Sequence, residues 1–297
     1  GWTAKQCDYL CDGTDDQVEI NNAITALSAS GGEIIILNGT YNITAKINVN
    51  KNNVSIKGNG NATILKRMWD SSSSEGVITL DSVEGCRIQN LQIDGNKANY
   101  TLSNNYGIHL HSSNNNTITG NTCNNNTVNG ISLNSSSNNT ITGNTCNNNS
   151  NYDIHLYSSS NNTVTGNTCN NTVSGIYLNS SSNNTITGNI CNNTHNGIHL
   201  NSSSKNTITG NNCNNNTYNG IYLKSSSNNT ITGNICIRGT GQTSDYTSYQ
   251  DTILLDGSSN NYNLISLNNC MGKAVVVGGG TGNSVWGNKF DATNDLP

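Results

Sequence analysis

Proline occurs once, phenylalanine once and methionine twice in 297 residues, and only 10% of the side chains are charged. With 13 basic against 17 acidic residues, the chain carries no electrostatic footprint for nucleic acid or for an anionic membrane surface. No stretch of about eighteen consecutive apolar residues occurs, so no membrane-spanning helix is expected. Hydrophobic residues reach only 32%, which in an irregular sequence would mean disorder. A repeat fold escapes that inference, because each short coil buries few side chains and its neighbours complete the core.

Asparagine, serine, threonine and glycine fill the remainder, and they are strictly arranged. The segment from Asn129 to Cys146 returns almost verbatim from Ser174 to Cys191 and from Asn219 to Cys236. Cys123, Cys146, Cys169, Cys191, Cys213 and Cys236 are separated by 23, 23, 22, 22 and 23 residues. Within each unit the apolar residues alternate, as in Ile131-x-Leu133 and Thr140-Ile141-Thr142, which is the period of a strand. Serine, asparagine and glycine clusters between them mark turns. The leucine-rich signature is absent and no helical stretch interrupts the repeat. The spacing therefore predicts an all-β chain, a single-stranded right-handed parallel β-helix with 22–23-residue coils.

The alternation also assigns faces. Ile108 and Leu110, and their equivalents at every coil to Ile221 and Leu223, should point inward, with Ile118, Ile141, Val164, Ile186, Ile208 and Ile231 as a second inward column. Five residues after each of these stands the cysteine, replaced by Ile93 upstream and Phe290 downstream, which argues for a third buried column that includes Cys270. Two residues before it stands asparagine, from Asn121 to Asn288, able to stack side-chain amides from coil to coil. The ends differ. Residues 1–33 read as a cap in which Val18, Ile20, Ala23, Ile24 and Leu27 form the apolar side of a short helix, with Asp15 or Asp16 at its N-cap. Residues 34–102 read as irregular first coils, 103–237 as the regular repeats, and 238–297 as coils with a long insertion near Gly239–Gln250 and a tail.

Asp12-Gly-Thr-Asp-Asp-Gln, followed by Gly31-Gly32-Glu-Ile-Ile-Ile-Leu and Gly39-Thr-Tyr41, resembles the N-terminal cap of pectin-lyase-like β-helices. The repeated Gly-Ile-x-Leu-x-Ser-Ser-Ser-Asn-Asn-Thr-Ile-Thr-Gly-Asn unit resembles the coils of NosD-type repeat proteins, which abound among secreted and surface proteins of methanogenic archaea. Lyases of the pectin-lyase-like fold need clustered acids for calcium and a base, and hydrolases need paired carboxylates. From Ser103 to Ile235 the only acid is Asp153, and Lys205 and Lys224 are the only lysines or arginines. The chain is accordingly expected to be no enzyme and to need no cofactor. A loop patch of Arg238, Asp245, Asp251 and Asp256 is the residual catalytic candidate.

An outward column reads His109, Ser132, His155, Tyr177, His199 and Tyr222, and its neighbour reads His111, Asn134, Tyr157, Asn179, Asn201, Lys224 and Asp256. This His/Tyr stripe is read as an interaction face for glycans or protein, with histidines too far apart to share one metal ion. Cys123, Cys146, Cys169, Cys191, Cys213, Cys236 and Cys270 are read as a column of buried thiols, with disulfides between coil neighbours as the competing reading. Cys7, Cys11 and Cys86 lie outside it and are candidates for a cap disulfide or a cross-link. Eighteen Asn-x-Ser/Thr sequons, among them Asn38, Asn42, Asn61 and Asn99, are compatible with glycosylation. With ten cysteines and an initial Gly1-Trp2, these sequons lead us to expect a secreted, cell-surface product whose signal peptide has been removed. The expected function is a self-associating structural subunit of a sheath, S-layer or filament. The alternative is a polysaccharide-binding or polysaccharide-cleaving protein using the His/Tyr face.

Overall fold

The alternating apolar residues become two columns of parallel strands; in the regular repeats the strands of one sheet, called here the long-strand sheet, have six or seven residues and those of the other have three. The computed structural model describes residues 6–71, 73–102, 104–238 and 251–290. The chain divides into two units, Gly1–Ser150 and Asn151–Pro297.

The first unit begins with helix α1, Gln17–Ala26. Ile20 and Ile24 are buried as expected, but Val18 is 46% exposed and Gln17 takes its place on the inner side. The reason is polar. Gln17 Nε2 donates to Thr44 Oγ1 at 3.0 Å, and its Oε1 accepts the Thr44 N–H at 3.0 Å. Asn21 accepts the Asn48 N–H at 2.9 Å and donates to the Lys46 carbonyl at 3.1 Å. The helix thus satisfies strand groups that an open sheet edge would expose. Asp16 stands at the N-cap position, but its side chain makes no capping bond to the helix. Its buried carboxylate instead accepts the N–H groups of Gly13 and Asn42, at 2.8 and 2.6 Å.

The long-strand sheet of this unit comprises Ile47–Val49, Glu75–Asp81, Asn105–His111 and Asn129–Asn134. Ile78, Ile108 and Ile131 stand in register, all without exposure. In the other sheet Ile88, Ile118 and Ile141 do the same. Ile93 pairs with Cys123, so the cysteine does occupy the position of a buried aliphatic residue.

In the second unit the long strands are Tyr152–Tyr157, Ser174–Asn179, Asn196–Asn201, Asn219–Lys224, Asp251–Asp256 and Val276–Val277. Ile154, Ile176, Ile198, Ile221 and Ile253 stack without exposure, and Cys169, Cys191, Cys213, Cys236 and Cys270 form the buried column opposite. The glycines before Ile176, Ile198 and Ile221 are there for room: a Cβ on Gly197 would lie 2.8 Å from the Cys213 Cβ. Phe290, expected in the buried column, is 50% exposed, with Val285 and Trp286 beside it at 41% and 53%. Their coil is the last described, and no described residue covers its far side. The insertion at 239–250 and the tail at 291–297 lie outside the described residues.

Asparagine fixes the stacking. In the second unit the N–H groups of Asn167, Asn189, Asn211, Asn234 and Asn268 each donate to the Oδ1 of the asparagine one coil on. The distances are 2.9, 2.9, 3.0, 2.9 and 3.0 Å. The Nδ2 groups of Asn189 and Asn211 reach back to the carbonyls of Val164 and Ile186, both at 2.9 Å. A second, parallel ladder runs through Asn162, Asn184, Asn206, Asn229, Asn263 and Asn283 at 2.8–3.0 Å. In the first unit the same bonds join Asn121 to Asn144 and Asn116 to Asn139, at 3.0 and 2.8 Å.

Replacing Asn211 by alanine removes the acceptor of a buried N–H and the donor of a buried carbonyl, so a loss of about 1–3 kcal/mol is expected. Asn179→Ala, on the outer face, should stay within about 0.5 kcal/mol. Urea denaturation midpoints followed by circular dichroism measure both; equal shifts would show that the ladder does not hold the coils.

Candidate functional site

The outer face of the long-strand sheet carries the polar chemistry, because alternation sends every second residue there. In the first unit, Thr79 stands beside His109 and Asp81 beside His111 on adjacent strands. His111 Nδ1 lies 3.1 Å from Asp81 Oδ1, and both side chains are about half exposed, at 51% each. That hydrogen bond chiefly, then one from Ser82, holds the Asp81 carboxyl below the usual range. Asp81 is therefore an ionised acceptor, so the proton of this hydrogen bond sits on His111 Nδ1, and Nε2 takes no part in it.

His109, expected to be exposed, is only 5% exposed. Its ring stacks on Tyr106, with centroids 5.0 Å apart and planes at 25°, and it lies 6.3 Å from the His111 ring. Burial above all, then the neighbouring His111, pushes its pKa down to about 4. Beside this group Lys46 Nζ lies 3.1 Å from Glu75 Oε1. Burial would raise Glu75, but hydrogen bonds from Ser71 and Lys46 outweigh it and hold the carboxyl below its ordinary value. Arg67 anchors the strand ends from within. Fully buried, it donates to Asn105 Oδ1 at 3.1 Å and to the carbonyls of Glu75 and Tyr106 at 3.0 and 2.8 Å. Burial pulls its pKa down to about 9.

In the second unit His155, Tyr177, His199 and Tyr222 form a ladder of rings. Successive centroids lie 5.2, 4.5 and 4.7 Å apart, and Tyr152 packs on Tyr177 at 4.5 Å. Tyr177 is consequently 8% exposed, contrary to the open stripe expected from the sequence. The rings cover one another's faces and turn their edges outward. Burial, then Lys224, pushes His199 down to about 4. Tyr157 is 44% exposed and offers an open ring. Tyr222 Oη donates to Asp256 Oδ2 at 2.5 Å, and Asn201 Nδ2 donates to Tyr177 Oη at 3.3 Å.

Of the residual loop patch, Asp251 pairs with Lys273 at 2.6 Å and Asp256 serves Tyr222, whereas Asp245 lies outside the described residues. Asp153, the one acid of the repeat block, is fully buried. All ten cysteines are free; burial chiefly raises the Cys191 thiol well above its ordinary value, and the hydrogen bond with the preceding thiol of the column, then burial, does so for Cys213 and Cys236. Cys86 is buried, its Sγ donating to the Lys51 carbonyl at 3.3 Å, and Cys7 is half-buried. Cys11 stands with Asp16 and Glu19, their ligand atoms within 4.8 Å of one another; burial and then those carboxylates push its thiol up to about 12.

Among protein-family models, the one described as right handed beta helix region matches residues 9–169, 75–234 and 169–290. The chain belongs to this family. Curated proteins gave no match. Among solved structures, the Dettilon tailspike protein is 18% identical with a TM-score of 0.71, covering 97% of this chain and 66% of that one. The A-module of the mannuronan C-5 epimerase AlgE4 from Azotobacter vinelandii is 15% identical, TM-score 0.64, covering 97% of this chain and 98% of that one. An endo-xylogalacturonan hydrolase from Aspergillus tubingensis is 16% identical, TM-score 0.67, covering 97% and 95%. The chain thus spans slightly less than two thirds of the tailspike protein, and at these identities the likeness shows the fold alone.

The expectation of a non-enzyme is corrected here. The fold is one on which an epimerase and a hydrolase are built. That expectation rested on the acid-poor block from Ser103 to Ile235 and on the loop patch beyond it, whereas Glu75 and Asp81 lie upstream of both. Extending the two outward columns back one coil would have found Asp81, in register with His111.

The depressed pKa values have a sign that can be checked. The unfolded chain protonates histidine near pH 6.5, while His109 and His199 stay neutral until about pH 4. Between those values the unfolded state binds more protons, so stability should fall as pH drops through this window and level off below it. NMR titration of the imidazole protons, with unfolding midpoints in parallel, measures this. Ordinary titration of His199 near pH 6.5 would mean that its ring is not shielded by Tyr177 and Tyr222.

Proposed function

We propose that this protein binds and chemically modifies a polysaccharide laid across the outer face of the long-strand sheet, outside the cell. The observation that carries this reading is the Asp81–His111 pair, an oriented imidazole with an open Nε2 on an accessible strand face. Asp81 fixes the ring and compensates the positive charge that develops as His111 takes a proton; Tyr106 and His109 form the wall beside it. The Lys46–Glu75 pair and buried Arg67 hold that wall in place rather than supplying a free acid. The relatives lend support, since the epimerase and the hydrolase are named for action on polymers of sugar.

Incubation with a panel of polysaccharides, followed by assay of reducing ends and of unsaturated products, tests the reading. His111→Ala should lower turnover by about 10²–10⁴ while leaving binding in place. Full activity in that variant would remove His111 from the chemistry.

A second reading, the cell-surface assembly that the NosD-type resemblance implies, draws on the last described coil of the second unit, whose far side no described residue covers. Val285, Trp286 and Phe290 are all 41% exposed or more, an apolar edge of the kind that pairs with another molecule. Light scattering at rising concentration should then show self-association that Trp286→Asp weakens; a monomer throughout would count against it.

A further inference from the structure

We infer that the second unit's outer face receives an uncharged, hydroxyl-rich glycan chain rather than a polyuronate or a sulfated one. This deepens the polysaccharide reading and rests on it. The argument is one of charge and hydrogen-bond complementarity. Along the two outward columns of this unit, from His155 to Leu254 and from Tyr157 to Asp256, the fixed charges are Lys224 and Asp256 alone. These two are register neighbours on adjacent strands, so the cation is matched by an acid one strand away. Lys273, near the strand start, is matched by Asp251 at 2.6 Å. His199 stays neutral above about pH 4. A polyanion would find no uncompensated positive charge here, and it would bring its carboxylates towards Asp256.

What the face does offer suits a polyol. The Tyr222 hydroxyl donates to Asp256, and Asn201 donates to the hydroxyl of the buried Tyr177. Asn179 and Asn201 add amides that both donate and accept, and these two rungs stand on adjacent strands about 4.8 Å apart. Because the ring ladder spends its faces on itself, the half-exposed Tyr157 ring supplies the apolar contact against which a sugar can stack. On the first unit's outer face Lys46 is likewise matched by Glu75.

Isothermal titration of the full chain at neutral pH, at low and high salt, tests this. The probes are uncharged polymers (xylan, mannan, mixed-linkage glucan, fructan) and acidic ones (alginate, polygalacturonate, heparin). At least one uncharged polymer should bind with an affinity that salt leaves within about twofold, because no ion pair is screened. Acidic polymers should bind at least about tenfold more weakly, and Tyr157→Ala should weaken the uncharged ligand by about tenfold. Tighter binding of an acidic polymer, falling as salt rises, would overturn the inference and leave the polysaccharide reading standing. Binding of neither class by correctly folded protein would overturn both.

Discussion

A parallel β-helix must turn its backbone several times per coil, and each turn leaves amide and carbonyl groups that neither sheet can pair. Buried without partners, each such group would cost about 1–3 kcal/mol. Asparagine meets that demand because its amide has the same donor and acceptor as the backbone itself. In the second unit one Oδ1 accepts the N–H of the previous coil while the Nδ2 reaches the carbonyl of an inward residue one coil back. The coils are thereby locked in register at two turns, and the inward isoleucines, the thiols and the outer rings are aligned as a consequence. Low hydrophobic content is tolerated for the same reason: the stack is held by satisfied polar groups as much as by burial.

Most of this was legible in the sequence because a periodic structure writes itself periodically. The 22–23-residue spacing gave the coil, the alternation gave the inward columns, and the Ile93–Cys123–Phe290 equivalence placed the thiols among buried residues. Less legible were features that depend on neighbours across the stack. The second asparagine ladder, from Asn162 to Asn283, looked like turn filler until its amides were seen to meet. Val18 belonged to the helical apolar pattern, yet the partner surface was a row of strand amides, and Gln17 and Asn21 answered it better. Phe290 obeyed the column but stands in a coil with no described residue beyond it.

The candidate site shows the same division. Its columns followed from alternation, but exposure did not, since ring stacking is a property of adjacent coils. His109 and Tyr177 belong to the outward columns by alternation, yet they are covered by Tyr106, Tyr152 and their own column. Asp81 and Glu75 stand in the irregular early coils, where the repeat is degraded. On the first unit a half-exposed imidazole pairs with Asp81, and on the second a ladder of rings runs beside Lys224 and Asp256.

The rungs of the asparagine ladders in the second unit are interchangeable, and this bears on how such a chain can change over generations. Every coil presents the same N–H donors ahead and the same Oδ1 acceptors behind. Excising or duplicating one whole coil between Asn167 and Asn234 would therefore rejoin like with like, whereas losing a few residues would break the register of everything beyond. Length should drift in units of one coil at little cost. The outer columns, which the ladders do not touch, are left free to be rewritten one residue at a time.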